Sequence, residues 1–276
     1  MHTTVSDGTD SPSEILSRVK KAGIELFAVT DHDSFAAVDV IRGIRKKKDP
    51  AYLSGIEFSC KDEEGKYHIL GYGFDPEEAG MRAVVEKGRR LRLEKVQARL
   101  VFLGKEFGIR FPEEDLEELF TMECPGKPHI ANLLIRHGYA TDKKQAFNEY
   151  LNLMHLQNAY VRPEEAIQGI LGGGGIPVLA HPAYGDGDEL ILGEELEERV
   201  KRLVSFGLQG MEGFYSGFTP KIRREVVDIA ERNDLYITAG SDYHGTNKMV
   251  ILGDTGLDAV ETLPEGLLRF LKKVKE

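Results

Sequence analysis

The chain has 276 residues, 41% hydrophobic and 30% charged, and carries a net charge of −10 from 46 acidic and 36 basic side chains. That length fits one large α/β domain or a domain carrying an inserted one, and the acidic balance excludes a protein that coats nucleic acid through a basic surface. No apolar run approaches the roughly 20 residues of a membrane span, no secretory signal opens the chain, and the two distant cysteines, Cys60 and Cys124, point to a reducing cytoplasm. Met1 to Gly8 reads as a strand running out into a loop. Ser11-Pro12-Ser13-Glu14 predicts a helix start, with Ser at the N-cap, Pro at N1 and Glu at N3. Its apolar face is Ile15, Leu16, Val19 and Ala22, and Gly23 stops it. A short buried strand, Glu25–Thr30, closes on Asp31-His32-Asp33. A helix follows over 34–47, a strand over 51–59 and another over 67–73. This alternation predicts mostly parallel strands.

From Pro76 to Leu153 the periodicity turns helical and polar, with one long helix to Phe107 and shorter ones near 113–121, 128–138 and 142–152. The β/α alternation resumes with a helix at 163–171, a strand at 177–180, a helix at 194–206, a strand near 210–214, a helix at 221–233 and a strand at 235–239. A terminal amphipathic helix begins near Pro264. The chain therefore divides into 1–75 with 154–276, and a helical insertion over 76–153. Gly172–Gly175 is a helix-to-strand connector rather than a phosphate cradle, because no helix N-terminus follows it.

His2, Asp31-His32-Asp33, Glu57, His181 and the pair Asp242/His244 fall at strand ends, and His68 lies within a strand. In parallel barrels the C-terminal strand ends converge on one face, where active sites sit. Imidazoles and carboxylates gathered there suit two or three divalent cations: imidazole suits Mn, Fe or Zn, and a carboxylate can bridge a pair. In the insertion, Lys87, Arg89, Arg90, Arg92, Lys95 and Arg99 outnumber Glu86 and Glu94. Arg90 and Glu94 can pair at i,i+4 on a solvated face, while basic residues at i, i+3 and i+7 can meet phosphate oxygens. Leu91, Leu93, Val96, Leu100 and Phe102 read as core packing. His129, at a helix start after Gly126-Lys127-Pro128, is a candidate for substrate contact. His137 and His155 read as surface or packing residues, the cysteines as small buried hydrophobes, and Glu212, Tyr215 and Ser216 follow a strand and could line the pocket.

His2-Thr3-Thr4-Val5-Ser6-Asp7-Gly8, Thr30-Asp31-His32-Asp33, Gly55-Ile56-Glu57, Tyr67-His68-Ile69-Leu70-Gly71-Tyr72-Gly73, Leu179-Ala180-His181-Pro182 and Gly240-Ser241-Asp242-Tyr243-His244-Gly245 together resemble the motifs of the PHP family, the polymerase and histidinol phosphatase phosphoesterases. The resemblance spans nearly the whole chain and is closest to the branch whose helical insertion overhangs the site and which acts on nucleotides and short RNA ends. It implies an α/β fold, a distorted (β/α)7-type barrel with a helical insertion domain. It also implies a centre in which His2, Glu57 and Asp242 hold one metal, Glu57, His68 and His181 a second, and Asp7, His32 and His244 a third. Mn²⁺ is the first choice, with Fe²⁺ or Zn²⁺ as alternatives. Asp33 is expected to cap the following helix, and Asp31 to orient a ligating imidazole.

The family pattern is His-x-His, and Met1 occupies the x. The first barrel strand and its His are thus missing from this sequence; a start assigned too far downstream, or a truncation leaving an exposed edge, would account for it. The implied activity is hydrolysis of phosphomonoesters of 5′-mononucleotides, 3′,5′-bisphosphates or short oligonucleotide ends by a metal-activated hydroxide. His181 or Asp242 would move the proton, and His129, Arg90, Arg92 and Lys127 would contact substrate. The expected partner is a small anionic nucleotide or short single strand, not duplex nucleic acid or a membrane. Two other readings stay open: a metal-poor relic that binds without turnover, and an amidohydrolase-like C–N hydrolase, which would usually carry a metal-bridging lysine.

Overall fold

The computed structural model describes residues 1–154, 156, 159–185 and 189–275, so His155 lies outside the described residues. Helix α1 (Pro12–Lys21) starts at the expected capping box: the Ser11 hydroxyl accepts the Glu14 N–H at 3.3 Å, and the Glu14 carboxylate accepts the Ser11 N–H at 2.7 Å. Strand β1 (Leu26–Ala28) leads through an extended segment into α2 (Ala36–Ile44), shorter at both ends than predicted. The single strand expected over 51–59 is divided at Ser54 into β2 (Ala51–Leu53) and β3 (Gly55–Asp62). β2 pairs in parallel with β1, whereas β3 turns back through Glu63-Glu64 into β4 (Gly65–Tyr72) as an antiparallel hairpin. A connection this short permits only antiparallel return, which is why the expectation of mostly parallel strands fails here.

Four helices follow: α3 (Ala79–Phe107), α4 (Glu113–Thr121), α5 (Lys127–Arg136) and α6 (Lys143–Gln145), the last running on as a π-helical stretch over Ala146–Leu151. They enclose a core of their own built on Val96, Leu103, Leu119, Ile130, Leu134 and Leu151. The first turns of α3 belong elsewhere, since Met81 and Val85 pack into the core of the strands. Helix α7 (Pro163–Gly172) then restores the alternation with β5 (Ile176–Leu179), α8 (Gly193–Ser205), β6 (Gly210–Tyr215), α9 (Pro220–Arg232), β7 (Tyr236–Gly240) and α10 (Glu265–Lys273). No helix among the described residues is long and apolar enough to cross a membrane.

The main sheet has five strands in the order β3-β4-β5-β6-β7, with β4/β5 antiparallel and β5/β6 and β6/β7 parallel. β1 and β2 form a second, two-stranded sheet, joined to the first where His32 bridges Glu57. The sheets do not close into a barrel by strand pairing among the described residues. Instead, Met1 and His2 span the gap: the Met1 carbonyl accepts the Thr30 N–H at 2.9 Å, and the His2 N–H donates to the Tyr243 carbonyl at 2.8 Å. Within the strands lies a largely apolar cavity of about 310 Å³ that reaches Glu57, His181, Glu212 and Asp242.

Because α3 to α6 enclose a core of their own, Leu134→Ala, which empties a fully buried position there, is expected to lower unfolding free energy by roughly 2–5 kcal/mol in a denaturant titration. A loss below about 0.5 kcal/mol, the range of surface substitutions, would contradict that packing.

Candidate metal centre

The N-terminal loop is folded around one buried carboxylate. Asp31 Oδ1 accepts the Thr3 N–H and the Ser6 hydroxyl, each at 2.7 Å, and Oδ2 accepts the Thr3 hydroxyl at 2.7 Å. Ser6 Oγ is in turn 3.5 Å from His2 Nδ1, so Asp31 reaches the imidazole through Ser6. Glu57 comes from the third residue of β3, where its N–H donates to the Asp31 carbonyl and its carbonyl accepts the Asp33 N–H. His68 lies on β4, His181 just beyond β5, and Asp242 and His244 just beyond β7.

These segments bring their side chains to one place. Glu57 Oε2 and Asp242 Oδ1 stand 3.0 and 3.1 Å from His2 Nε2. Glu57 Oε1 is 2.7 Å from His68 Nδ1 and 3.4 Å from His181 Nε2, and the two imidazole nitrogens are 3.1 Å apart. Asp7 Oδ1 lies 3.3 Å from His244 Nε2, and Asp7 Oδ2 lies 3.8 Å from His32 Nε2. Three sets of donor atoms fall within 4.8 Å of one another: His2, Glu57 and Asp242; His32, Glu57 and His68; and His2, Asp7, His32 and His244.

Burial and charge oppose each other throughout. Burial disfavours the ionised carboxylates, yet Asp7 is held well below the usual range by His32 and His244, and Glu57 by His32 and His68. Asp242 is lowered in the same sense, chiefly by His2. Burial would lower His2, but Asp242 and Glu57 overcome it and raise its pKa to about 10.

A family model described as the PHP domain matches residues 1–275. The chain belongs to the PHP domain family. It is 29% identical over 270 residues to a 5′-3′ exoribonuclease of Haemophilus influenzae, covering 95% of this chain and 94% of that one. It is 26% identical over 275 residues to a 3′,5′-nucleoside bisphosphate phosphatase of Chromobacterium violaceum, covering 95% and 90%. A solved structure of an amidohydrolase from Chromobacterium violaceum, with bound sulfate and no metal, superposes with a TM-score of 0.81 at 27% identity, covering 99% of this chain and 94% of that one.

Metal-dependent chemistry in a PHP domain needs imidazole and carboxylate atoms that face a cation, which would displace the proton His2 otherwise keeps, and the residues here fit. His2 Nε2 and His32 Nδ1 are buried and lack any aligned hydrogen-bond partner among the described residues. For His2 Nε2 this holds although two carboxylate oxygens stand about 3 Å away. Orphaned nitrogens are uncommon in a folded interior, and divalent cations take imidazole and carboxylate together.

The long helix α3 presents an unexpected face to this centre. Its buried stripe is Met81, Val85, Arg92, Lys95, Val96, Arg99 and Leu103, so the middle turns bury cations where Leu93 and Phe102, half-exposed, had been expected to pack. Arg92 donates to Asp33 at 3.0 Å and to Ser59 at 3.2 Å. Asp33 also accepts the Ser59 N–H at 2.9 Å, so it ties the helix to β3 and does not cap α2, whose first N–H is accepted by the Ser34 hydroxyl at 3.2 Å. Arg90, two residues from Arg92 and so about 200° around the helix, points to solvent with its side chain 67% exposed beside Glu94; the structure does not bring it to the site. Lys127 shares a cavity of about 170 Å³ with Arg92, Lys95, Arg99, Asp7 and His68. His129 lies beside the Ser6 backbone, within electrostatic reach of Asp7, with Nδ1 accepting the Gly126 N–H at 3.0 Å. Cys124 donates to the His32 carbonyl at 2.9 Å, and His137 pairs with Asp115 at 2.5 Å on the surface.

Lys95 is 7% and Arg99 4% exposed. Among the described residues no carboxylate pairs with Lys95, which instead faces the Tyr160 ring at 3.8 Å from its centroid. Burial, and then Arg92, lower its pKa from 10.5 to about 7. Below pH 7 the charge is therefore buried at full cost. Between 7 and 10.5 the folded chain sheds a proton that the unfolded chain keeps, so stability rises with pH. In metal-free protein, Lys95→Met should exceed the wild type in unfolding free energy by roughly 1–4 kcal/mol near pH 6. That difference should shrink as pH rises past 7 toward 10.5. A pH-independent difference in paired denaturant titrations would contradict this.

Proposed function

We propose that this chain is a metal-dependent phosphoesterase that releases phosphate from nucleotides, with 3′,5′-bisphosphates, 5′-mononucleotides and short RNA 5′ ends as the substrates to test. It is a hydrolase of phosphoesters, in keeping with the names of its relatives. The observation that carries the finer reading is the sharing of Glu57: one oxygen faces His2 and the other faces His68 and His181, as a carboxylate bridging two cations would. His2, Glu57 and Asp242 would hold one divalent cation, Glu57, His68 and His181 a second, and Asp7, His32 and His244 a third. Mn²⁺ is the first choice, with Fe²⁺ or Zn²⁺ as alternatives. When bound, the cations would supply Lewis acidity and an acidified water.

The chain's own groups divide the remaining work. Arg92, Lys95 and Lys127 line the cavity that opens on Asp7 and His68, where cations neutralise charge on phosphoryl oxygens. The insertion, residues 76–153, acts as a cover: His129 approaches Asp7, and the Lys143 ammonium meets Asn247 beyond β7. Such a cover excludes water around the reacting phosphate and narrows the entrance toward single nucleotides or single strands. His181 or Asp242 would move a proton at the scissile oxygen, through an atom that does not face a cation. A metal-poor relic would have no reason to keep three carboxylates among five buried or half-buried imidazoles. A further strand between β1 and β7, supplying another imidazole, would close the barrel.

Phosphate release from a panel of 5′-mononucleotides, 3′,5′-bisphosphates and short RNA, with added Mn²⁺, tests the proposal. Asp242→Asn should reduce release by more than the ~10–100-fold typical of an outer-shell change. No release from any member, or equal release by the variant, would overturn it.

A further inference from the structure

Four non-glycine residues among those described adopt left-handed backbone: Asp33 (φ 51°), His181 (φ 29°), Asp234 (φ 54°) and Asp242 (φ 53°). Such residues persist only where their surroundings over-determine them. Two of the four, His181 and Asp242, are candidate metal ligands just beyond β5 and β7, the two strands that flank β6, and both are gripped from β6, which contributes no ligand itself. Glu212 Oε2 accepts the His181 N–H at 2.8 Å. The Tyr215 hydroxyl donates to Asp242 Oδ2 at 3.2 Å, leaving Oδ1 to face His2 at 3.1 Å. The Lys248 ammonium meets the same Asp242 oxygen and the Tyr215 hydroxyl.

In a regular strand, residues 212 and 215 would point to opposite faces, because side chains alternate. β6 is not regular. Its register against β7 runs Glu212↔Thr238, then Phe214↔Ala239 and Tyr215↔Gly240, so one extra residue is inserted at Gly213. The bulge places Glu212 and Tyr215 opposite residues 238 and 240, on one face, and sends Met211 and Phe214 together into the core on the other. Two glycines accommodate this arrangement. A Cβ on Gly213 would lie 2.8 Å from Ile237 Cγ2, and a Cβ on Gly240 would lie 2.0 Å from Glu212 Oε1.

We propose that β6 is the outer shell of the metal centre, with Glu212 and Tyr215 as positioning residues that hold His181 and Asp242 in their ligating orientations. A ligand aimed by a fixed hydrogen bond needs no reordering when a cation arrives, and loss of such partners weakens metal binding without removing a donor. The inference rests on the reading of this cluster as a metal centre.

The test compares Glu212→Leu, Glu212→Gln and Tyr215→Phe with the wild type by Mn²⁺ titration. It adds His181 amide hydrogen exchange and the melting temperature, both in metal-free protein. Glu212→Leu should weaken Mn²⁺ binding roughly 10–100-fold and speed His181 amide exchange, with no matching fall in melting temperature. Glu212→Gln, which keeps an acceptor for that N–H, should restore most of both. Tyr215→Phe should weaken Mn²⁺ binding while leaving His181 exchange unchanged. Wild-type Mn²⁺ binding in the Leu variant, equal losses in Leu and Gln, or losses that only track melting temperature would overturn the proposal. A wild type that binds no Mn²⁺ would sink the metal-centre reading itself. Unaltered His181 exchange in Glu212→Leu, with Mn²⁺ bound by the wild type, would sink the positioning role alone.

Discussion

Glu57 is buried at the junction of the two sheets, and the molecule is arranged around making that tolerable. Its backbone pairs with Asp31 and Asp33, which is how the two-stranded sheet meets the five-stranded one. Its carboxylate stands between His2 on one side and His68 and His181 on the other. An isolated carboxylate in such a place would protonate rather than stay charged. Here the imidazoles of His32, His68, His181 and His2, from four separate segments, hold it ionised. The same contact therefore joins the sheets, gathers distant segments and creates the charge pattern a cation would complete.

A second constraint follows on the other side of the centre. The middle of α3 buries Arg92, Lys95 and Arg99 along the stripe that is apolar at both ends of the helix. Arg92 is compensated by Asp33, and that pair fixes the helix against β3. Lys95 has no such partner among the described residues, only an aromatic face. A folded chain gains nothing in stability from that arrangement. It suits the proposed meeting of anions beside the ligand cluster, in a cavity Lys95 shares with Arg92, Arg99, Asp7 and His68.

Much of the centre was legible in the sequence because strand ends and motif spacing survive translation into space: His2, Asp7, His32, Glu57, His68, His181, Asp242 and His244 all converge. The strand pairing was less legible. The turn at Glu63-Glu64 has no Asn-Gly or Asp-Gly pair at its centre, and its signal lies in the flanking Asp62 and Gly65 instead, so β3 and β4 read as members of a parallel set. Arg90 and Arg92 looked equivalent on paper, and only the phase of α3 separates a solvated residue from a buried one. Asp33 follows a strand and precedes a helix, as a cap would, yet its partner Arg92 lies 59 positions away. Glu212 and Tyr215 could not be placed on one face without knowing that Gly213 is an extra residue in the strand.

The most direct measurement is anomalous diffraction from crystals of the protein grown with Mn²⁺. The account predicts more than one strong anomalous peak, with the Glu57 carboxylate lying between two of them and His2 and His68 on opposite sides. A single peak remote from Glu57, or none at all, would contradict the claim that this shared carboxylate organises a metal centre.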